Sequence, residues 1–352
     1  MRRTRLQKID RHPSARDSTG RLRLTGAALA LMAALGACGG SPTRPTPPPP
    51  PPPTLNLTCP ADVAKTSPNG NPFAVTFEAI ATGGQVPVTL TCEPESGSPF
   101  AIGTTPVSCT ARDAAGQTKT CAFSVAVAAP PRLKFTKFMA FGDSITEGVV
   151  SPAPTLLRLD LASSYPTRLQ QQLTARYTAQ TVTVVNAGKA GEFAADALPR
   201  LQHELKANRP QVVILAEGTN DLNAQLGPDQ TAVRMEDLAR EVIYFGAIAV
   251  VGTIPPMRPG GPKANCPDCV PPYNARVVAL TSSKGARTVD IYPVIAADMP
   301  LLLGADGIHP TVAGYQAIAT TYFDAIAALF EEAAAPSLAP GLLVPPVGRD
   351  RP

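Results

Sequence analysis

The sequence predicts an α/β fold preceded by a small all-β module, and three observations support that prediction. From residue 133 onward, apolar runs alternate with helical stretches, which is the order expected of a parallel sheet covered by helices. Residues 54–129 instead alternate apolar and polar side chains with a period of two, as half-buried strands do. The chain has 352 residues, of which 44% are hydrophobic, so it is long enough for two such units.

The first 37 residues have the layout of a signal peptide. Eight Lys and Arg residues precede the apolar run LTGAALALMAAL, which is too short to span a bilayer but has the length of a signal-peptide core. The run ends in LGAC and resembles the lipobox of bacterial lipoproteins, which implies cleavage before Cys38 and acylation of that cysteine. An ordinary signal peptide with an incidental cysteine is the alternative. Two or more acyl chains would anchor the protein stably in a membrane.

The excess of positive charge in this chain lies in the predicted signal peptide. Residues 1–37 contain eight of the 31 Lys and Arg residues but two of the 27 Asp and Glu residues, so the mature chain is slightly acidic. Charge therefore gives no argument for nucleic-acid binding. We expect an exported bacterial lipoprotein, held by the lipid on Cys38. Gly39 resembles the pattern of lipoproteins that are sent to the outer membrane.

Residues 38–53 are the predicted linker between the lipid and the folded part. They end in seven consecutive prolines, which adopt an extended polyproline II helix and act as a stiff spacer. Beyond the linker, the segments FAVTFEAIAT and CAFSVAV alternate in the manner of strands, and DAAGQ is a turn signal. Residues 54–129 therefore predict one small antiparallel sandwich.

Four cysteines fall within this sandwich, and their arrangement from CPADV to TKTCAFSV resembles the hyalin repeat, or HYR module, which is immunoglobulin-like. The resemblance implies a structural or adhesive role and two disulfides. Three connectivities are possible, and we favour Cys59 with Cys121 and Cys92 with Cys109. The chain has no Trp and all seven Tyr lie beyond residue 160. The module therefore lacks an aromatic platform for sugars, which favours a spacer over a lectin.

Residues 133–335 are the predicted α/β domain, and the tail at 336–352, rich in Pro, Gly and Leu, is expected to be disordered. Buried strands are predicted for LKFTKFMAF, TVTVVNA, QVVILAEG, AIAVVGTIPP and RTVDIYPV. Helices are predicted for YPTRLQQQLTARY, AADALPRLQHELKA, YNARVVALTSSKGA and TVAGYQAIATTYFDAIAALFEEAAA. In such parallel sheets, ligands bind at the carboxyl ends of the strands.

Four short polar segments lie at these strand ends or just before the last helix. They are FGDSITEG, NAGKAGE, EGTND and DGIHP. Together, and in this order, they resemble the four sequence blocks of the SGNH, or GDSL-type, serine hydrolases across roughly residues 135–332. The resemblance implies a flavodoxin-like, three-layer α/β/α fold and hydrolysis of an ester substrate, without a metal or an organic cofactor.

The same resemblance assigns a catalytic triad. Ser144 is the expected nucleophile, and a serine hydroxyl needs a neighbouring base, for which His309 is the candidate. Asp306 precedes His309 by three residues in a turn opened by Gly307, so its carboxylate can bond one imidazole nitrogen and fix the tautomer. A helix cap is the other interpretation of Asp306. His203, in a charged helical segment, is expected at the surface.

The resemblance also assigns three donors to the oxyanion of the tetrahedral intermediate. They are the backbone N–H groups of Ser144 and Gly191 and the side-chain amide of Asn220. Glycine lets a backbone approach the substrate closely, and an amide donates a hydrogen bond without titrating. Taken alone, Gly191 could be a turn glycine and Asn220 a loop cap. The neighbouring Asp143 and Asp221 are expected to shape their loops rather than to react.

Cys266 and Cys269 form a local pair within NCPDCVPP. A single C-x-x-C without a second ligand pair is weak evidence for zinc. The surrounding prolines favour a loop over a thioredoxin-type redox motif. Because disulfides are common in exported proteins, we expect a local disulfide that stiffens a loop near the active site.

Three functions are compatible with these observations. A serine esterase acting on short-chain or acetyl esters of carbohydrates comes first, because an exported, stalked enzyme meets polysaccharides, although the absence of Trp weakens this choice. A lysophospholipase or thioesterase acting on longer acyl chains is the second. A catalytically silent adhesive or scaffolding lipoprotein is the third, and the intact set of expected site residues argues against it.

Overall fold

The computed structural model describes residues 51–332 of the chain. Cys38, the signal segment and the tail at 336–352 lie outside the described residues, so the predictions for them are untested. No helix within residues 51–332 is both long and apolar enough to cross a bilayer.

The described residues form strands in both regions and helices in the second. The strands are β1 (Asn56–Thr58), β2 (Val63–Thr66), β3 (Phe73–Ala74), β4 (Ile80–Thr82), β5 (Thr89–Glu93), β6 (Pro99–Phe100), β7 (Gly103–Arg112), β8 (Thr118–Ala128), β9 (Arg132–Leu133), β10 (Lys137–Gly142), β11 (Val149–Ala153), β12 (Leu156–Leu159), β13 (Thr183–Gly188), β14 (Val212–Ala216), β15 (Ile248–Gly252), β16 (Arg287–Val289) and β17 (Glu331–Glu332). The helices are α1 (Ser144–Glu147), α2 (Tyr165–Arg176), α3 (Leu198–Asn208), α4 (Thr219–Asn223), α5 (Pro228–Tyr244), α6 (Val270–Ser282), α7 (Tyr292–Ala296), α8 (Met299–Leu302) and α9 (Val312–Phe330), with a 3₁₀ turn at Pro267–Cys269.

The N-terminal region is an all-β module, as predicted. Its main sheet has the order β2-β8-β7-β5, and two further pairs join β1 to β4 and β3 to β6. The long β7–β8 hairpin turns at the expected DAAGQ segment, where the Asp113 carboxylate accepts hydrogen bonds from Gln117 N at 2.7 Å and from Gln85 N at 2.9 Å. The core of the module contains Val107, Phe123 and other side chains of the two long strands.

The prediction of a purely antiparallel sandwich is wrong at one edge of this module. Strand β2 pairs with β8 in parallel, with Val63 opposite Val125. Because a long connection separates these strands rather than a tight hairpin, the parallel direction is sterically open to them. The predicted strand FAVTFEAIAT is also broken, since residues 75–79 lie between β3 and β4.

Both predicted cysteine pairs of the module are present as disulfides. Cys59 is bonded to Cys121 and Cys92 to Cys109, and a third disulfide joins Cys266 to Cys269. In the module, Cys92 and Cys109 stand opposite each other on β5 and β7, and Cys109 stands opposite Cys121 on β7 and β8. The two cross-links therefore lie side by side across the main sheet and supplement a small core.

The second region is built on a five-stranded parallel sheet with the order β13-β10-β14-β15-β16. Numbered from the first parallel strand, this is the 2-1-3-4-5 order of flavodoxin-like folds. The predicted α/β fold class is therefore confirmed. The order places β10 between β13 and β14, so the carboxyl end of β10 faces the loops that follow both neighbours.

Helices cover both faces of this sheet because alternate residues of its strands point in opposite directions. Met139 and Phe141 of β10 pack against α3, α5 and α6, whereas Phe138 and Ala140 pack against α2 and α9. Two hydrophobic cores result, one on each face. Since both sides of the sheet are buried, its strands read as continuous apolar runs in the sequence.

The fifth predicted strand is shorter than its apolar run. RTVDIYPV forms only the three residues of β16 and then enters helix α7, where Pro293 occupies the first turn. Proline has no N–H to give to a sheet but fits the start of a helix. Helix α5 and the β11–β12 hairpin were not predicted from the sequence.

Candidate active site

Ser144 lies at the first residue of α1, directly beyond the carboxyl end of the central strand β10. Asp143 caps this helix, because its Oδ1 accepts a hydrogen bond from Ile145 N at 2.9 Å. Gly142 leaves no room for a side chain, since an added Cβ would overlap the Ala216 carbonyl oxygen. This close packing fixes the turn that presents the Ser144 hydroxyl.

His309 connects Ser144 to Asp306 by two hydrogen bonds. Ser144 Oγ lies 2.9 Å from His309 Nε2, and His309 Nδ1 lies 2.6 Å from Asp306 Oδ2. The other carboxylate oxygen of Asp306 accepts from the backbone N–H groups of Ile308, at 3.2 Å, and of His309, at 3.1 Å. The three predicted triad residues therefore form one continuous hydrogen-bonded chain.

Ionisation of Asp306 is favoured by these contacts. Burial works against a charged carboxylate, but the hydrogen bonds and positive charge of His309 and the backbone N–H groups outweigh it and lower the pKa of Asp306. An ionised Asp306 accepts from Nδ1–H and leaves Nε2 free to receive a proton from Ser144.

The loop that holds Asp306 and His309 is itself tightly held. Asp306 N donates to Ser151 Oγ at 3.1 Å, and Ala305 N donates to the Ser151 carbonyl at 2.8 Å, which ties the loop to strand β11. Gly307 has a φ of +88°, and a Cβ at this position would lie 2.8 Å from the Gly261 Cα. Glycine is therefore needed at 307 for both its conformation and its packing.

Gly261 belongs to the loop that also carries the Cys266–Cys269 disulfide. Arg258 N donates to the Gly307 carbonyl at 2.8 Å, and Lys263 N donates to the Asp306 carbonyl at 3.0 Å. The loop stiffened by this disulfide thus lies directly against the Asp306 turn, in the region where the sequence analysis expected it.

The other side of Ser144 faces the loop that follows β13. Gly191 lies in this loop with a φ of +78°, and its N–H makes no hydrogen bond within residues 51–332. Asn220, on α4, donates from Nδ2 to the Glu192 carbonyl at 2.8 Å. Glu192 follows Gly191 in the chain and accepts this hydrogen bond, so it links the two expected oxyanion donors Gly191 and Asn220.

Asp221 reinforces this arrangement from the same helix. Its Oδ2 accepts a hydrogen bond from Ala194 N at 2.9 Å, so it holds the Gly191 loop from the far end. Burial raises the pKa of Asp221. Asp143 and Asp221 therefore shape the loops around the site, as the sequence suggested, and neither contacts the Ser144–His309 pair by a hydrogen bond within the described residues.

Two buried carboxyl groups near Ser144, those of Asp143 and Glu217, have raised pKa values. Burial raises the pKa of Asp143 to about 6, and its Oδ2 has no hydrogen-bond partner in the described part of the chain. Glu217, fully buried at the end of β14, also has two unpartnered oxygens in that part. Burial, followed by the charges of Asp143 and Glu192, raises the pKa of Glu217 well above its ordinary value.

Some residues around the site were not identified from the sequence. They are Ser151, Glu192, Arg200 and Glu217. One signal was present for Glu217, because a carboxylate directly after an apolar strand interrupts the hydrophobic run QVVILAEG. By contrast, His203 is exposed, as expected for its charged helical segment.

The arrangement is suited to nucleophilic catalysis. A buried serine is hydrogen-bonded to an imidazole whose other nitrogen is held by an ionised carboxylate, which is the requirement for general-base activation of a hydroxyl. The expected oxyanion donors are the N–H groups of Ser144 and Gly191 and the Asn220 amide, and the structure links Gly191 and Asn220 through Glu192. Among residues 51–332, no group of three or more His, Cys, Asp or Glu side chains has the geometry of a metal site.

Comparison with known proteins agrees with this geometry. The profile described as "GDSL-like Lipase/Acylhydrolase family" matches residues 140–317, and the profile described as "HYR domain" matches residues 50–127. A protein of Ruminococcus flavefaciens described as "Multidomain esterase" is 28% identical over 159 residues, which are 43% of this chain and 20% of that protein. The aligned region thus spans about a fifth of the length of that relative.

Solved structures with similar folds include two bacterial enzymes. A lipase/acylhydrolase from Enterococcus faecalis has 20% identity and a TM-score of 0.49, covering 57% of this chain and 100% of its own. An acetylxylan esterase from Geobacillus stearothermophilus has 21% identity and a TM-score of 0.45, covering 54% of this chain and 94% of its own.

The GDSL-like profile covers half of the chain and includes every residue that forms the hydrogen-bonded triad. It begins in β10, two residues before the Gly142–Ser144 turn, and ends within α9, beyond His309. The order of the sequence blocks, the flavodoxin-like sheet and this match agree with one another: the chain belongs to the GDSL-like lipase/acylhydrolase family of ester-bond hydrolases.

Proposed function

We propose that the protein is a serine esterase that hydrolyses short-chain or acetyl esters of carbohydrates. The observation that carries the proposal is the hydrogen-bonded chain from Ser144 Oγ through His309 to Asp306, with distances of 2.9 Å and 2.6 Å. The description of the Ruminococcus flavefaciens relative as a multidomain esterase supports the reaction type.

The proposed reaction is acyl transfer in two steps. Ser144 Oγ attacks the ester carbonyl while His309 Nε2 takes its proton, and the resulting oxyanion is met by the N–H donors of Ser144, Gly191 and Asn220. His309 then donates the proton to the departing alcohol, which leaves an acyl-Ser144 intermediate. Water, deprotonated by His309, hydrolyses that intermediate and restores the serine.

The burial of the triad supports a small acyl group. Ser144 is 6% exposed and His309 3% exposed, so little open surface surrounds the reacting hydroxyl. A short acyl group can reach such a serine with less rearrangement than a long one. Preference for a carbohydrate alcohol rests on the expected export of the chain and its proline-rich linker.

A second candidate, a lipase-like enzyme for longer acyl chains, is favoured by one specific feature. The β11–β12 hairpin follows α1 directly and contacts the Asp306 loop through Ser151. Its outer strand and the following turn expose four leucines, with exposed fractions between 40% and 54% at Leu156, Leu157, Leu159 and Leu161. Exposed apolar groups this close to the site suit an apolar substrate or a lipid surface.

The first test is hydrolysis of p-nitrophenyl acetate, butyrate and octanoate by the protein and by its Ser144→Ala variant. Ser283→Ala, which removes an exposed hydroxyl, is the matched control. We expect turnover by the parent and the control, falling from acetate to octanoate, and none by Ser144→Ala. Highest activity on octanoate would instead support the lipase-like candidate.

The alcohol part of the substrate needs a separate assay. Release of acetate from acetylated xylan oligosaccharides supports the carbohydrate proposal, whereas release of fatty acid from a lysophospholipid supports the second candidate. Labelling by a fluorophosphonate probe separates both from a catalytically silent adhesive protein, because the probe reacts only with an activated serine. A folded protein that neither labels nor hydrolyses any ester would leave the adhesive function as the better account.

We also propose that the protein is a lipoprotein anchored through Cys38, outside the described residues. The supporting observations are the apolar run that ends in LGAC and the polar, proline-rich linker after it. Incorporation of an alkyne-labelled fatty acid into the expressed protein, lost in Cys38→Ser, is the expected result. Incorporation that persists in Cys38→Ser would refute the anchor at this position.

A further inference from the structure

Arg200 on helix α3 contacts two backbone carbonyls and one aromatic ring around the site at once. Its guanidinium donates to the Ala187 carbonyl at the end of β13, at 2.7 Å, and to the Gly142 carbonyl at the end of β10, at 3.2 Å. The same group stacks on the Phe141 ring, 3.9 Å from the centroid. One planar side chain therefore spans the carboxyl ends of two adjacent strands, two residues before Ser144.

The remaining donors of Arg200 bind Glu192 in the loop that carries Gly191. Arg200 Nε lies 2.9 Å from Glu192 Oε1 and 2.8 Å from Oε2, and the guanidinium NH2 group also contacts Oε2. The Glu192 side chain is 2% exposed and that of Arg200 is 18% exposed. A largely buried, forked contact of this kind fixes orientation as well as distance.

Glu192 also fixes Asn220, by its backbone rather than its side chain. Its carbonyl accepts one hydrogen bond from Asn220 Nδ2, at 2.8 Å. The amide NH₂ has two hydrogens, so the second stays available for the oxyanion. Glu192 directly follows Gly191, so holding Glu192 in place also restrains the backbone of Gly191.

We propose that Arg200 is a positioning residue that holds all three oxyanion donors in one geometry. Its hydrogen bond to the Gly142 carbonyl restrains the turn that carries the Ser144 N–H. Its contact with the Glu192 side chain restrains the segment that carries the Gly191 N–H and binds the Asn220 amide. Arg200 touches no reacting atom, and its action is transmitted by the backbone of these neighbours. This inference rests on the proposed esterase function and extends it by one residue outside the recognised sequence blocks.

The first test compares Arg200→Met with Arg176→Met on p-nitrophenyl acetate. Arg176 makes an equally forked contact with Glu331, at 2.8 Å and 2.9 Å, but at the edge where α2 meets β17. Because misplacing preorganised donors weakens the transition state more than the bound substrate, we expect kcat to fall about 10- to 100-fold in Arg200→Met, with KM changed less than about two-fold. Arg176→Met should keep the parent kcat.

A second measurement separates positioning from general loss of structure. A phenylboronic acid forms a tetrahedral adduct with an active serine, so its affinity should fall by the same factor as kcat/KM in Arg200→Met. In an Asn220→Ala background, Arg200→Met should lower kcat by a clearly smaller factor than in the parent, because one of the donors that it positions is already gone. A merely structural role would give the full loss in both backgrounds.

Three outcomes would overturn the proposal. The first is an unchanged kcat in folded Arg200→Met, and the second is a full loss in the Asn220→Ala background. If Arg200→Met does not fold, Glu192→Gln is tested instead. This variant keeps the backbone carbonyl that accepts from Asn220 but weakens the side-chain contact with Arg200. An unchanged kcat in Glu192→Gln is the third outcome. An inactive parent protein would instead reject the esterase function itself, so the two failures are distinguishable.

Discussion

Two buried polar clusters lie on either side of Ser144, and their carboxyl groups differ in hydrogen-bond partners and in the direction of their pKa shifts. On the first, which we call the histidine side, Asp306 has both oxygens engaged by His309 and by backbone N–H groups. On the second, the arginine side, Arg200 donates to Glu192 and to two backbone carbonyls, while Glu217 is left without a hydrogen-bond partner in the described residues.

The balance between burial and the hydrogen bonds received decides the direction in which the pKa of each carboxyl group is shifted. Burial raises the pKa in both places, but on the histidine side it is outweighed and the pKa of Asp306 is lowered. For Glu217 on the arginine side, and for Asp143 next to Ser144, nothing outweighs burial, so both pKa values are raised. A carboxyl group is thus held charged on the histidine side, whereas Asp143 and Glu217 keep a proton to a higher pH than an ordinary carboxyl group does.

The largest expected effect comes from the histidine side. Asp306→Asn keeps an oxygen for the backbone N–H groups but presents an amide to His309, which favours the wrong imidazole tautomer. We expect kcat to fall about 10⁴-fold while the protein stays folded. Steady-state kinetics on p-nitrophenyl acetate measure this.

Asp298→Asn is the control for Asp306→Asn. Asp298 also accepts a backbone N–H, from Leu301 at 3.1 Å, but does so at the start of α8. Its activity should equal that of the parent. Comparable losses in both variants would mean that Asp306 acts only as a loop cap, the interpretation that the sequence left open.

The next effect concerns a donor that the arginine side positions. Asn220→Ala removes one of the three expected oxyanion donors, so kcat should fall about 10²- to 10³-fold with little change in KM. Asn208→Ala, which removes an amide bonded to Glu204 at the end of α3, is the control. A proportional rise in KM with unchanged kcat would show that Asn220 binds the substrate rather than the transition state.

The histidine side could be predicted from the sequence because its parts are local. Asp306, Gly307 and His309 lie within four consecutive residues, and their contacts follow from a single turn. Ser144 and Asn220 follow apolar runs, and parallel strands bring their carboxyl ends to one edge of the sheet. The parallel sheet, confirmed by the structure, follows from the alternation of strands and helices, and the flavodoxin-like fold was implied by the family resemblance.

The arginine side could not be predicted because its contacts depend on how distant elements are aligned. In the sequence, Arg200 is one charged residue on an amphipathic helix. Only the packing of α3 against β10 and β13 brings its side chain to the ends of these strands. The parallel pairing of β2 with β8 was missed for a similar reason. Periodicity identifies a strand but does not specify its direction relative to its neighbour.

The third prediction tests the raised pKa of Asp143. Its pKa is about 6 when folded, against an ordinary value of 3.8, so folding takes up a proton between these pH values. Wild-type stability is therefore lost as pH rises through this window, by up to about 2–3 kcal/mol. Asparagine does not titrate, so the unfolding free energy of Asp143→Asn should gain this amount relative to wild type between pH 4 and pH 7.5.

Urea denaturation at the two pH values measures the effect of Asp143→Asn. The exposed Asp324→Asn, on α9, controls for the loss of a carboxyl group. A difference from wild type that is the same at both pH values would contradict the prediction. It would mean that Asp143 is ionised when folded, like Asp306, and the contrast between the two sides would then be confined to Glu217.

The smallest expected effect is that of Glu217→Gln, and it tests the contrast most directly. Glu217 Oε1 lies 3.9 Å from the Arg200 guanidinium, which is too far for a hydrogen bond. If the carboxyl group is uncharged, glutamine replaces it with a neutral group of the same shape. The unfolding free energy at pH 7 should then change by less than about 1 kcal/mol. If Glu217 is instead ionised and paired with Arg200, breaking that buried pair would cost about 3–5 kcal/mol, so urea denaturation of this one variant separates the two cases.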